Sequence, residues 1–114
     1  IDGTGKKIKV VNEVATALNL HNVEAVHRRG EEEKDRFDFV VSRAVMPLPD
    51  MVKIVRKNVS KTQHNALPNG VIALKGGDLS EELKPFGKKV MVTPVSDYFT
   101  EEWFADKQVI YLPL

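Results

Sequence analysis

Strands alternating with amphipathic helices predict an α/β fold with a mostly parallel sheet that ends in an antiparallel pair of C-terminal strands. Two observations carry this. The first is a pair of short, β-rich apolar runs, Phe37-Asp38-Phe39-Val40-Val41 and Val71-Ile72-Ala73-Leu74, each stopping abruptly at polar residues: Ser42-Arg43 after one, Lys75-Gly76-Gly77-Asp78 after the other. The second is helical spacing elsewhere, Ile8, Val11, Ala15 and Leu18 in one stretch and Leu48, Met51, Val52 and Val55 in another. In open α/β sheets the carboxyl ends of strands are where ligands bind, which draws attention to Ser42 and Arg43 at the end of the stretch Phe37 to Pro47.

In chain order, Asp2, Gly3 and Thr4 supply the start of a helix expected from about Thr4 to Leu20, closed by the Asn19 to Asn22 stretch. Val23-Glu24-Ala25-Val26-His27 alternates apolar and polar, as a half-buried strand does. Arg28 to Arg36 is almost wholly charged and belongs to a solvated loop or short helical turn. After the pivotal strand a helix is expected from Leu48 to about Asn58, with Pro49 tolerated in its first turn. Ser60 to Asn69 is polar and turn-rich, and Pro68-Asn69-Gly70 leads into the second apolar run. A short helix over Ser80 to Lys84 and strands over Lys88 to Thr93 and Gln108 to Leu112 complete the reading. Between those last strands, Pro94 to Lys107 carries Tyr98, Phe99, Trp103 and Phe104; it is too polar for a regular packed helix, so a hairpin with a decorated loop competes with a crossover.

Composition narrows the function classes. The 114 residues, 42% hydrophobic, suffice for one core, and 17 basic against 16 acidic residues leave a net charge of +1. A pI near 8.2 neither demands nor excludes nucleic acid, so any basic footprint is local. Without cysteine there is no disulfide, thiolate nucleophile or zinc–thiolate site, and three scattered histidines argue against a metal. No apolar run reaches the ~18 residues of a membrane span, and cytoplasm is the default location. The chain opens on Ile1-Asp2-Gly3 at what reads as the last residue of a strand; residues 1–114 are therefore expected to be the C-terminal part of a larger domain.

One reading fails on chemistry. Asp38 to Pro47 and Lys84-Pro85-Phe86 resemble parts of a two-component receiver domain, but the phosphorylated aspartate of that family would fall at Arg43. A guanidinium neither accepts a phosphoryl group nor binds magnesium. A non-catalytic, receiver-like binding or interaction domain stays open as the alternative.

A broader match covers almost the whole chain. Asp2-Gly3-Thr4-Gly5-Lys6-Lys7, Arg29-Gly30-Glu31-Glu32, Phe37-Asp38 with Ser42-Arg43-Ala44, and Ala73-Leu74-Lys75-Gly76 occur in the order and approximate spacing of the RsmG family, also called GidB. The resemblance implies a Rossmann-like fold and a bacterial enzyme that transfers a methyl group from S-adenosylmethionine to N7 of a guanine in 16S ribosomal RNA. It implies that Asp2 accepts hydrogen bonds from the cofactor ribose, that Gly30 and Glu31 line the adenine site, and that Arg43 contacts the methionine moiety. Local cations, Lys6, Lys7, Arg28, Arg29 and Lys75, would meet RNA phosphates of the 16S RNA or small ribosomal subunit.

Each position has a plainer competitor. Asp2 can cap the first helix, Glu31 to Glu33 can form a solvated face, Arg43 can pair with Asp38 or Asp50, and Lys75-Gly76-Gly77 can be a turn. Phe99, Trp103 and Phe104 read as a cover for the sheet edge, because a base-stacking platform needs exposed rings beside a basic groove. The family's serine after the acidic residue is Gly3 here, and its glycine-rich loop after the first strand is not in the sequence. The 114 residues alone are thus expected to bind S-adenosylmethionine weakly or not at all, and a bare strand edge beside Phe37–Val41 invites self-association.

Overall fold

The computed structural model describes residues 1–43 and 46–114, which form two units, Ile1–Lys34 and Asp35–Leu114. Ala44, part of the Ser42-Arg43-Ala44 match, lies outside the described residues.

In the first unit, helix α1 runs over Gly5–Ala17. Its start is set by Thr4, whose carbonyl accepts from Lys7 and Ile8 N–H at 3.1 and 3.3 Å. The end is a Schellman motif. Asn19 takes a left-handed conformation (φ 56°), its N–H reaches Thr16 O at 3.0 Å, and Leu20 N–H reaches Ala15 O at 2.9 Å. The helix therefore stops earlier than the apolar spacing predicts. Ile8 is buried, but Val11 and Leu18 of the same stripe stay exposed. The strand expected over Val23–His27 reduces to one parallel bridge between Asp2 and His27, flanked by Asp2 N–H to Val26 O (3.3 Å) and Arg28 N–H to Asp2 O (3.0 Å).

The second unit is built on a four-stranded sheet of order β1-β2-β4-β3, with β1 at Phe39–Arg43, β2 at Gly70–Gly76, β3 at Met91–Pro94 and β4 at Lys107–Pro113. Strands β1 and β2 are parallel, joined through helix α2 (Leu48–Val55), and Phe37 adds a parallel bridge to Val59. Strand β4 is antiparallel to both β2 and β3, so residues 95–106 are the loop of a hairpin. Gly70 is required where β2 begins: a Cβ there would lie 2.1 Å from Leu112 O.

One sheet face carries the core. Val71 and Ala73 of β2 and Ile110 and Leu112 of β4 alternate inward and pack with Leu48, Met51 and Val52 of α2, Val59 and Leu79. Five of these, Leu48, Val71, Ala73, Ile110 and Leu112, are almost completely buried, which is where most of the apolar stabilisation resides. Strand β1 differs from the buried strand predicted for Phe37–Val41. It occupies a sheet edge, extends through Ser42 and Arg43 and leaves Val41 66% exposed, because only β2 pairs with it. A buried polar residue anchors the turn before β2: Asn69 Nδ2 donates to Ser60 O (2.8 Å) and Thr62 O (2.9 Å).

Candidate functional site

The acidic residue of the first unit sits where the bridge to His27 ends and the helix approach begins. Asp2 Oδ1 accepts the Thr4 backbone N–H at 2.7 Å, and the Thr4 side chain adds a further hydrogen-bonding contribution to the carboxylate. The Thr4 N–H, with Lys7 adding its charge, outweighs desolvation and holds the carboxyl below its ordinary value, so it is an anion at neutral pH. The expected competitor role, direct capping of α1, is not what the geometry gives: Thr4 is the N-cap and no side chain bonds to the helix N–H groups there. His27 Nε2 lies 3.0 Å from Gly3 O and donates to it, which ties the Asp2–Gly3 segment to the bridged one.

Beyond the bridge, Gly30–Glu32 forms a 3₁₀ turn in which Glu32 N–H reaches Arg29 O at 3.0 Å and Glu33 N–H reaches Gly30 O at 3.2 Å. Gly30 is half-buried and Glu31 exposed. Glu33 departs from the solvated face expected of the glutamates: it is buried and takes Arg28 Nη1 at 2.9 Å. Arg28 is thereby partly committed, whereas Arg29 and the α1 residues Lys6 and Lys7 are exposed.

In the second unit Arg43 closes β1, exposed, opposite Leu74 in the parallel register. Neither salt bridge weighed for it forms. Asp38 instead faces His64 Nδ1 and Asn65 Nδ2, both at 3.3 Å, and Arg43 has no ion pair among the described residues. Its side chain lines a cleft of about 650 Å³ with Leu74, Phe99, Trp103, Phe104 and Lys107. The aromatic hairpin loop thus borders a cleft at the ends of β1 and β2.

Lys75 is a correction to the sequence reading. Strand β2 runs on to Gly76, so Lys75 falls in register with Val71 and Ala73, and its side chain is only 4% exposed. Its Nζ pairs with Glu82 Oε2 at 2.9 Å and donates to Met46 O at 2.8 Å, which removes it from the cations open to RNA phosphate. Glu82 was not legible as a functional or structural centre. Its Oε2 also accepts Leu48 N–H at 2.8 Å, at the start of α2.

The family model described as GidB, rRNA small subunit methyltransferase G, matches residues 1–111. The chain belongs to this family. It is 59% identical over 114 residues, all of this chain and 50% of the relative, to the ribosomal RNA small subunit methyltransferase G of Parabacteroides distasonis. The proteins of the same name from Phocaeicola vulgatus and Porphyromonas gingivalis are 54% and 50% identical, again over the whole chain and over 54% and 52% of their own lengths. The chain thus spans about half the length of the curated relatives it matches. Family membership removes the receiver-like alternative, and Lys84 fits that outcome, since it opens a 3₁₀ segment and does not end a strand. Among the described residues no group of three or more His, Asp or Glu could hold a metal, and no helix is long and apolar enough to cross a membrane.

Proposed function

We propose that the complete protein transfers a methyl group from S-adenosylmethionine to N7 of a guanine in 16S ribosomal RNA, as naked RNA or in the small subunit, in the cytoplasm. The match to the methyltransferase family over residues 1–111 is the observation that carries this reading. Asp2 takes the ribose hydroxyls on its carboxylate, Gly30 and Glu31 line the adenine, and Arg43 offers its guanidinium fork to the methionine carboxylate. The donor set fits such a group: a carboxylate kept ionised by a backbone N–H, and an arginine at a strand end without an ion pair among the described residues.

The cofactor supplies a methyl group made electrophilic by its sulfonium. Guanine N7 has a free lone pair at neutral pH, so the residues need not remove a proton; their work is to hold the nucleophile in line. Orientation of this kind reaches effective molarities of ~10⁵ M or more, enough for a site without a general base. Lys6, Lys7 and Arg29, with Arg28 in a lesser role, draw the RNA by its phosphates, and this affinity falls as salt rises.

The test is methyl transfer from labelled S-adenosylmethionine by the intact protein, with the product mapped by strand cleavage at N7-methylguanine. Arg43→Ala should weaken cofactor binding in calorimetry with an unchanged melting temperature. A labelled product other than N7-methylguanine, or Arg43→Ala with full cofactor affinity, would count against the assignment.

A further inference from the structure

The hairpin loop between β3 and β4 places three aromatic rings against the strand ends of β1 and β2, and their exposure is the unexpected feature. Trp103 is 73% exposed and Phe99 52% exposed, although both border the 650 Å³ cleft. Large rings left this open are seldom there for packing alone. Phe99 and Phe104 stand 5.4 Å apart with ring planes at 42°, forming a fixed wall. Lys107 Nζ sits 4.8 Å from the Trp103 ring centre on one side, so the indole is held by a cation–π contact while its remaining surface faces solvent. Arg43 contributes a second cation to the same cleft. The ion pair of Lys107 with Asp106 (3.3 Å) is only partly screened from solvent, the lysine half-buried and the aspartate exposed, and such pairs are weak, so the ammonium can turn toward an anion.

From these observations we infer that the cleft is a base-stacking site: it takes one unstacked RNA base against Trp103, with the adjoining phosphate met by Lys107. The conditions that separate a stacking platform from a packed aromatic cover are both present, exposed rings and flanking positive charge. A cleft of 650 Å³ is the right size for a single nucleotide and too small for a duplex. Arg43, the residue assigned to the cofactor, lines one side of the cleft, so the inference rests on the methyltransferase reading and adds to it the part that selects a base.

The experiment uses the intact protein and a short single-stranded RNA with 2-aminopurine in place of one purine. Binding should quench the 2-aminopurine. Trp103→Ala should remove the quench and lower RNA affinity roughly tenfold or more, the scale of one base–aromatic stack. Trp103→Phe should restore most of the affinity, and Lys107→Met should lower affinity while reducing its salt dependence. Cofactor affinity and melting temperature should stay unchanged in Trp103→Ala. RNA affinity within twofold of the parent in Trp103→Ala would overturn the stacking site, and if methyl transfer persisted the function would stand without it. Loss of cofactor affinity in Trp103→Ala would assign the cleft to the cofactor and also overturn the inference. An unsubstituted protein that neither binds RNA nor transfers methyl would overturn both.

Discussion

Replacing Glu82 by glutamine changes one atom and should nevertheless destabilise the fold more than removing the lysine it pairs with. Lys75 Nζ has two contacts, Glu82 Oε2 at 2.9 Å and Met46 O at 2.8 Å, in a side chain 4% exposed. In Glu82→Gln an amide oxygen can still accept from both Leu48 N–H and Lys75 Nζ, but the ammonium is left buried without its counter-charge. Removing one partner of a buried pair costs on the order of 3–5 kcal/mol. In Lys75→Met the orphan is instead Glu82, whose side chain is 20% exposed and which still accepts Leu48 N–H. Water reaches this carboxylate, so the loss should be about 2 kcal/mol, including the unpaired Met46 carbonyl. Urea denaturation of the intact protein should therefore rank Glu82→Gln below Lys75→Met, and the double variant should be milder than the sum of the two, with a coupling of about 1–3 kcal/mol. Equal stability of Glu82→Gln and the parent protein, within ~0.5 kcal/mol, would refute the reasoning.

Three further outcomes can be checked. Gly70→Ala would set a Cβ 2.1 Å from Leu112 O and 2.7 Å from Pro113 Cα; since both are backbone, β2 and β4 must part, and denaturation should reveal a loss of about 3 kcal/mol. Asn69→Asp would turn a carboxylate oxygen toward the Ser60 and Thr62 carbonyls in a fully buried position, lowering the melting temperature by about 5 °C or more, whereas an unchanged melting temperature would mean that the amide bonds contribute little. The carboxyls of Asp2 and Asp78 are both held low, the first by the Thr4 N–H and the second by the Ser80 hydroxyl and N–H. Because the folded values are depressed, their stabilisation is present above the ordinary 3.8 and disappears as pH falls through the lower folded values; carbon NMR titration should place both midpoints below 3.8.

What the sequence reveals is the local part of this architecture. Leu48, Met51, Val52 and Val55 mark α2 by spacing alone, and the antiparallel hairpin of β3 and β4 follows from two short strands with a polar link. Arg43 was legible as a strand-end cation, and it does end β1 and line a cleft there. Lys75 was misread by one pleat: Gly76 and Gly77 look like a turn, yet the strand continues to Gly76 and carries the lysine to the core face. The Glu82 bonds were hidden for a different reason. Leu48 is 34 positions away in the chain, and no periodicity links residues that far apart. Val41 looks as apolar as Val71 but is exposed, since burial depends on which strands lie alongside.

The hairpin that bears Trp103 is anchored by four residue pairs, from Met91 opposite Tyr111 to Pro94 opposite Gln108, and none of residues 95–106 belongs to the buried core. The core residues of this segment thereby lie in its strands, and the residues of the inferred stacking cleft lie outside that core. Substitutions in the loop leave Ile110 and Leu112 in place, so its aromatic residues can be replaced while the sheet beneath stays the same. That separation lets the loop be altered residue by residue as an antibody's variable loops are, with the strand ends supplying the constant frame.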